Sequence, residues 1–114
     1  MNPFLAQKTI SEYCRAKNIH ITGFCPLART EKSKDPAIVD MANECGKNWA
    51  QVMIRWSLQK QVTTIPKSVK PQRIRENSEV FDIELNETRC EGGMILIRDF
   101  DCGLIQWICL NKLK

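Results

Sequence analysis

Residues 62–68 have the sequence Val-Thr-Thr-Ile-Pro-Lys-Ser, and a second proline follows at Pro71. Four β-branched residues in succession are typical of a strand that is covered on both faces. Proline donates no backbone hydrogen bond, so Pro66 is predicted to end this strand. Pro71 fits the first position of a short helix that reaches about Glu79. The stretch therefore predicts a buried strand, a turn and a helix.

The residues at the start of the chain predict a helix, a strand and a loop. A helix is expected over residues 6–17, and Asn18 suits the left-handed position that ends it. Residues 19–25 are predicted as a strand that Pro26 stops, and residues 27–34 as a loop. The first helix carries an apolar stripe at three- and four-residue spacing, made of Ile10, Tyr13, Cys14 and Lys17.

Two further helices are predicted between the strands. Asp35-Pro36 is typical of a helix start, with the aspartate as cap and the proline at the first helical position, and Gly46 closes that helix. Asn48 and Gln51 fit a capping box at the start of a helix over residues 49–60.

This alternation of helices and strands predicts an α/β fold built from parallel βα units with right-handed crossovers. Only two strands are expected before Asn86, and two parallel strands leave both edges of a sheet open. A complete α/β domain has several more strands. We therefore expect this chain to be part of a larger fold.

Composition favours a globular cytoplasmic protein. The 114 residues are 43% hydrophobic and 26% charged, with a formal net charge of +4. This mild, dispersed excess fits a phosphate-bearing partner better than nucleic acid. The apolar runs at residues 94–97 and 104–110 are too short to span a membrane. The chain has six cysteines, and its first residues do not resemble a signal peptide, which favours reduced and mostly buried thiols over disulfides. No two cysteines are separated by two residues and there is a single histidine, so a metal site is not favoured either.

Ligand-binding groups are expected at the carboxyl ends of the two predicted strands. After the second strand, Lys67 and Ser68 precede a helix N-terminus, whose amides favour an anion. Arg73 lies in the first turns of that helix, so that Lys67, Lys70 and Arg73 could surround one phosphate. An equally good interpretation of this spacing is a solvated helix surface with ordinary salt bridges.

Other candidate residues are less specific. Glu76 and Asn77 share a helical face with Arg73, where a carboxylate and an amide could bind the edge of an adenine ring. Phe24, at the end of the first strand, is by itself more typical of a core residue than of a stacking surface. His20 is more typical of a structural or surface histidine than of a base. No nucleophile and base are paired, so no catalytic residue is assigned.

An ordered set of motifs resembles the aldo-keto reductase family. The sequence Ile-Pro-Lys-Ser-Val at residues 65–69, with Arg73-Ile74 and Glu76-Asn77 after it, resembles the NADP(H)-binding signature of that family. The likeness extends over residues 2–87. Its other parts are residues 2–5, similar to the segment leaving the sixth barrel strand, residues 24–27, similar to the end of the seventh, residues 50–59, similar to the helix before the eighth, and residues 80–85.

The resemblance implies a partial (β/α)8 TIM barrel, made of the last two βα units, in a family that uses NADPH to reduce aldehydes and ketones. Residues 1–87 would form the C-terminal part of the reductase domain and residues 88–114 a divergent tail. The implied contacts are Lys67, Ser68 and Arg73 to the adenosine 2′-phosphate, Val69 through its backbone, Glu76 and Asn77 to adenine, Phe24 to nicotinamide, and Cys25, Leu27 and Arg29 along the pyrophosphate.

Departures from the family pattern carry their own expectations. No motif here matches the family's catalytic Asp, Tyr, Lys and His, so the chain is expected to be inactive alone and to meet a carbonyl substrate only in a full-length barrel. Phe24 replaces a common Tyr, Cys25 a common Ser and Lys70 a frequent Thr. The tail is either divergent or the product of an altered coding region.

A competing hypothesis is a non-enzymatic module or truncated isoform that associates with itself or with another chain through exposed barrel edges. A third, weaker hypothesis is a small nucleic-acid binder, which the lack of exposed aromatic residues around residues 67–75 disfavours.

Overall fold

The computed structural model describes residues 1–85, in which four α-helices and two short strands follow the predicted order. The tail predicted over residues 88–114 lies outside the described residues. A short 3₁₀ helix, Ala28–Thr30, lies within the predicted loop. The helices are α1 (Lys8–Ala16), α2 (Pro36–Cys45), α3 (Trp49–Gln59) and α4 (Pro71–Ser78), and the strands are β1 (Thr22–Gly23) and β2 (Thr63–Thr64).

The helix ends confirm the signals found in the sequence. The Asp35 carboxylate accepts a hydrogen bond of 3.1 Å from the backbone nitrogen of Ala37, with Pro36 at the first helical position of α2. Gly46 ends that helix with a φ of 61°, in the left-handed region where a side chain is disfavoured. Asn48 and Gln51 form the reciprocal capping box of α3.

The two strands lie parallel, with Thr22 opposite Thr63 and Gly23 opposite Thr64. Both are shorter than predicted, since the paired ladder covers only two residues in each. The prediction that the second strand is covered on both faces is wrong for the described residues. Helix α3 packs against one side and Val62 is 1% exposed, but Ile65 is 68% exposed because no described element lies over it.

Gly23 lies between the second strand and the first residues of the chain. A Cβ atom there would lie 3.0 Å from Val62 Cγ1 and 3.3 Å from the Met1 carbonyl oxygen, closer than side chains normally pack. The Met1 nitrogen donates a 2.8 Å hydrogen bond to the Phe24 carbonyl. The absence of a side chain at Gly23 thus lets three chain segments lie side by side.

The apolar core lies between α2, α3 and the strands. Val52 and Met53 are 0% exposed and Trp56 is 1% exposed, so one face of α3 is fully buried. Ile38 and Met41 of α2 pack against this face. The core is completed by Met1, Phe4, Ala6, Ala42, Val62 and Leu85.

Helix α1 differs from its prediction. Of the expected apolar stripe, Ile10 is 46% exposed and Tyr13 is 61% exposed, and the buried residue of the helix is Ser11. The Ser11 hydroxyl donates 2.9 Å to the Gln7 carbonyl. The apolar stripe therefore exists, but it faces away from the core, because the elements that α1 meets within residues 1–85 lie on its other side.

Cysteine burial also differs from its prediction. Cys14, Cys25 and Cys45 are free thiols, but they are half-buried rather than buried. The predictions for Cys90, Cys102 and Cys109 lie outside the described residues. Within residues 1–85, no helix combines the length and the apolar character needed to cross a membrane.

Candidate cofactor site at the strand ends and helix α4

The parallel register brings both predicted site segments to one edge of the sheet. Phe24 follows β1 and Ile65 follows β2, directly beyond the pair Gly23 and Thr64. Their side chains are 44% and 68% exposed. The core interpretation of Phe24 is therefore wrong, and an exposed aromatic ring stands at the carboxyl end of β1, where a planar ligand group could stack on it.

The segment after β1 is fixed through its backbone. The Phe24 carbonyl accepts from the Met1 nitrogen, and the Cys25 carbonyl accepts a 3.2 Å bond from Asn2 Nδ2. Asn2 is itself buried, and its Oδ1 accepts from the Phe4 backbone nitrogen at 3.0 Å. The sequence does not predict this contact of Asn2, since nothing in its own segment indicates a partner 23 residues away. The backbone of this segment is thus held while the Phe24 ring stays accessible.

Leu27 and Arg29 occupy different environments. Leu27 is half-buried against the core cluster, so it is available to a ligand only in part. Arg29 lies in the 3₁₀ helix with φ 52° and ψ 28°, and it is exposed. Ala28 and Thr30 also have positive φ values, of 45° and 69°. The loop after β1 therefore takes a tight left-handed course that presents Arg29 to solvent.

The segment after β2 forms a turn that leads into α4. The backbone nitrogen of Lys70 donates 3.2 Å to the Ser68 hydroxyl. Lys70 is the N-cap residue of α4, and no side chain caps the helix. Pro71 has no N–H, so the uncapped amides of the first turn are those of Gln72 and Arg73. Uncapped amides at a helix start form a favourable position for an anion.

Three cationic residues lie in the chain segment around this helix start. The side chains of Lys67, Lys70 and Arg73 are exposed and have no hydrogen-bond acceptor or ion-pair partner on any described residue. The salt bridges of the alternative interpretation are thus not formed within residues 1–85. Val69 is 78% exposed beside them. Basic side chains next to uncapped amides can bind a phosphate dianion without first breaking an internal ion pair.

The far end of α4 has the opposite character. Glu76 is half-buried, and its Oε2 accepts a 3.1 Å hydrogen bond from Asn48 Nδ2. Its Oε1 accepts a 2.8 Å bond from Gln72 Nε2. Asn77 is half-buried next to it. The sequence predicted Asn48 only as a helix cap, because its second partner lies 28 residues further along the chain.

Lys47 forms an ion pair near the same end of α4. Its Nζ lies 2.7 Å from Asp82 Oδ2 and donates 3.2 Å to the Glu79 carbonyl. The hydrogen bond from Lys47 holds the pKa of Asp82 below its ordinary value. Lys47 therefore has partners within the protein, whereas the cations at the helix start have none among the described residues.

A cavity of about 560 Å³ lies at the opposite, amino ends of the strands. It contains none of the predicted site residues. Because ligands of parallel α/β folds bind at the carboxyl ends of the strands, we do not assign the cofactor to this cavity. Its lining includes Arg15, Asn18, Ile19, His20, Gln61 and Val62.

Comparison with known proteins identifies the family. The Aldo/keto reductase family profile matches residues 1–91. The chain is 40% identical over 96 residues to aldo-keto reductase family 1 member A1 of Xenopus tropicalis, covering 75% of this chain and 29% of that protein. It is 38% identical over 86 residues to glyoxal reductase of Bacillus subtilis, covering 75% of this chain and 31% of that protein.

Solved structures give the same result. Gox0644 in its apo form superposes with a TM-score of 0.82 at 32% identity, over 86% of this chain and 36% of that one. A mutant of Gox0644 in complex with NADPH superposes with a TM-score of 0.79 at 32% identity, over 82% of this chain and 35% of that one. The chain thus spans about a third of the length of the relatives that it matches.

These likenesses confirm the predicted fold class. The described residues form an α/β unit, the last two βα units of a (β/α)8 barrel, with the strand ends and the start of α4 at one edge. The chain belongs to the aldo/keto reductase family.

Proposed function

We propose that this chain is the NADP(H)-binding C-terminal portion of an aldo-keto reductase, whose family reaction is the NADPH-dependent reduction of aldehydes and ketones to alcohols. The observation that carries the proposal is the start of α4, where exposed cations that have no partner among residues 1–85 flank an uncapped helix N-terminus along the chain. Support comes from the solved relative that was crystallised with NADPH.

The adenosine 2′-phosphate is proposed to bind at this helix start. Arg73 offers a planar fork of donors that can make a bidentate contact, and Lys67 supplies a point charge. The Ser68 hydroxyl shapes the turn by accepting from the Lys70 nitrogen at 3.2 Å and donating a long bond of 3.5 Å to the Lys70 carbonyl, which a phosphate oxygen would replace. Val69 contributes its backbone. This group would favour NADP(H) over NAD(H), because NAD(H) lacks the phosphate.

The rest of the dinucleotide is proposed to extend from α4 toward the end of β1. Glu76 and Asn77 would contact adenine, with a carboxylate accepting from the exocyclic amino group. The exposed Phe24 ring would stack on nicotinamide. Cys25, Leu27 and Arg29 would lie along the pyrophosphate, where Arg29 adds a cation.

The proposal separates cofactor binding from catalysis. The cofactor supplies hydride, and the family's Asp, Tyr, Lys and His assist at the carbonyl group. No motif in this sequence matches that catalytic set, so we propose that these 114 residues bind the dinucleotide without turnover. A carbonyl substrate would be bound only in a full-length barrel. The family profile ends at residue 91, which supports a domain boundary near residue 87.

Two measurements on the 114-residue chain test this proposal. NADPH oxidation with an aromatic aldehyde should be undetectable, and clear turnover would refute the inactivity. Lys67→Ala and Arg73→Ala should each weaken NADP+ binding by about tenfold or more, since a charge-assisted hydrogen bond contributes about 1.5–3 kcal/mol. NAD+ binding should change much less. Arg75→Ala removes a cation from the same helix outside the proposed site and is the matched control; equal losses for both cofactors would contradict the assignment.

A second candidate function is an interaction module. It is favoured by the exposed apolar residues Ile10, Tyr13 and Ile65, of which the first two lie on α1 and the third follows β2. Such exposed apolar surface, next to a two-stranded sheet, is typical of a surface that another chain covers. Size-exclusion chromatography distinguishes the two, because a stable compact monomer at micromolar concentration would contradict the interaction module.

A further inference from the structure

The corner between α2 and α3 contacts the half of α4 that is proposed to bind adenine. Asn48 is the centre of this corner. Its Oδ1 accepts hydrogen bonds of 3.0 Å from the backbone nitrogens of Ala50 and Gln51, as the cap of α3. Its Nδ2 faces the other way and donates to Glu76 Oε2 at 3.1 Å. One amide therefore joins the start of α3 to a side chain of α4.

Glu76 is held from two sides by this arrangement. Asn48 donates to Oε2, and Gln72, one turn earlier on α4, donates to Oε1 at 2.8 Å. A carboxylate has two oxygens with about four acceptor positions in total. Two donors therefore fix the plane of the group and leave one acceptor position on each oxygen for a ligand. A long acidic side chain that is oriented in this way loses little further freedom when it binds.

The backbone of α4 is fixed at the same end. The Gln51 side chain is 5% exposed, and its Nε2 donates 3.0 Å to the carbonyls of both Glu76 and Glu79. Its Oε1 accepts from the Asn48 backbone nitrogen at 3.0 Å. The distance between Asn48 and Glu76 is therefore set by rigid neighbours rather than by two mobile surface groups.

We infer that Asn48 is a positioning residue for base recognition, which acts on the nucleotide through Glu76. The inference rests on the proposed function, since Glu76 must face adenine. Adenine carries an amino donor at the position where hypoxanthine carries a carbonyl acceptor. An oriented carboxylate attracts the amino group of adenine and repels the carbonyl group of hypoxanthine. Asn48 thus sharpens the preference of the site for adenine, while the 2′-phosphate contacts at the other end of α4 do not depend on it.

The experiment compares the affinities of the 114-residue chain for NADP+ and for its hypoxanthine analogue, nicotinamide hypoxanthine dinucleotide phosphate. Titration calorimetry gives both dissociation constants. The wild-type chain should prefer the adenine form by about tenfold, as expected for one hydrogen bond to a charged group. Both ligands carry the same phosphates, so the ratio of the two constants cancels any change in phosphate binding or in the folded fraction.

Asn48→Asp is the decisive variant. Aspartate caps a helix as well as asparagine does, so α3 keeps its start. The new carboxylate, however, replaces the donor at 3.1 Å from Glu76 and repels it. The preference for adenine should fall to about onefold to threefold. Asn43→Asp makes the same chemical change at an exposed position of α2 that is not among the described hydrogen-bond partners of the Glu76 carboxylate, and it should keep the wild-type ratio.

Two further variants keep the inference testable. Asn48→Ser keeps a capping oxygen and removes the amide nitrogen that donates to Glu76, without adding charge, so it should also lose the preference even if Asn48→Asp folds poorly. Combining Asn48→Asp with Glu76→Gln exchanges donor and acceptor. The amide introduced by Glu76→Gln can then donate to the new carboxylate and present its carbonyl to adenine, so the preference should recover.

The outcomes separate the two proposals. A wild-type chain that does not bind NADP+ overturns the proposed function, and this inference with it. A wild-type chain that binds both nucleotides equally shows that Glu76 does not read the base, which overturns this inference and leaves the phosphate site standing. If the wild-type preference persists in both Asn48→Asp and Asn48→Ser, Asn48 has no positioning role.

Discussion

The two ends of α4 differ in whether their polar groups have hydrogen-bond partners within the described protein. At its start, Lys67, Lys70 and Arg73 are exposed and have no acceptor among residues 1–85, and no side chain caps the helix. At its far end, the Gln51 side chain donates to the Glu76 backbone carbonyl, and the Asn48 side chain donates to the Glu76 carboxylate. The polar groups at the far end are hydrogen-bonded within the protein. Those at the start have no partner among the described residues and can bind a ligand.

This contrast shows how a short helix can serve as a binding element. Eight residues of low hydrophobicity, none of them buried, would not hold a helix in place by apolar packing. Hydrogen bonds from α3 to one end fix it instead. The other end can then keep unsatisfied amides and cations without losing its position. The proposed phosphate contacts therefore depend on Gln51, which lies at the opposite end of the helix.

The largest expected effect comes from breaking the fixed end. Gln51→Leu keeps the side-chain volume but removes three hydrogen bonds, two to the carbonyls of Glu76 and Glu79 and one from the Asn48 nitrogen. The free energy of unfolding should fall by about 2–4 kcal/mol, because each of the three lost hydrogen bonds contributes about 0.5–1.5 kcal/mol. Urea unfolding followed by circular dichroism measures this change.

The matched change at the open end is Arg73→Ala. Arg73 has no partner within the described residues, so its loss should change the free energy of unfolding by no more than about 0.5 kcal/mol. If Arg73→Ala destabilises the chain as much as Gln51→Leu does, the conclusion that only the far end of α4 holds the helix in place is wrong.

An intermediate effect is expected at the sheet that carries both site segments. In Gly23→Ala the new methyl group would lie 3.0 Å from Val62 Cγ1 and 3.3 Å from the Met1 carbonyl oxygen. Separating these segments should cost about 1–3 kcal/mol, as is typical of an overpacked site. Thermal unfolding measures the loss, and Gly46→Ala, which has open space but a φ of 61°, is the control for backbone strain alone. An unchanged melting temperature for Gly23→Ala would show that the strands can move apart freely.

The smallest effect concerns pH at the fixed end. Lys47 lowers the pKa of Asp82 in the folded chain, so the pair stabilises the fold above the ordinary carboxyl pKa and loses this contribution as pH falls through the lowered value. Asp82→Asn should therefore lower the melting temperature slightly at neutral pH and not at all in acid below that value. A difference from the wild type that persists at low pH would assign the effect to something other than the charge of Asp82.

Much of the fold was predictable, because its signals act over a few residues. Pro66 and Pro71 bracket the turn before α4, the Asp35 cap starts α2, and Asn48 with Gln51 starts α3. The candidate site was predicted through Lys67 and Arg73 for a related reason, since the order strand, turn and helix places these cations near a helix start whatever the rest of the fold does.

The predictions that were wrong concern the burial of side chains, which depends on the elements that pack over them. The apolar stripe of α1 was predicted correctly as a pattern, but Ile10 and Tyr13 are exposed within the described structure. Phe24 was expected by itself to be a core residue, and it is exposed at the strand end. Periodicity identifies a face of a helix or strand, and only the neighbouring elements decide whether that face is covered.

The sequence by itself determined the starts of α2, α3 and α4, the parallel α/β order and the basic segment before α4, because caps, turns and prolines act within about four residues of backbone. Only the tertiary structure decided that Asn2 binds the Cys25 carbonyl and that Asn48 binds Glu76, across 23 and 28 residues of chain. An amide side chain presents the same donors and acceptors to any partner. Which partner it meets depends on how the elements pack, and the sequence around the amide does not encode that choice.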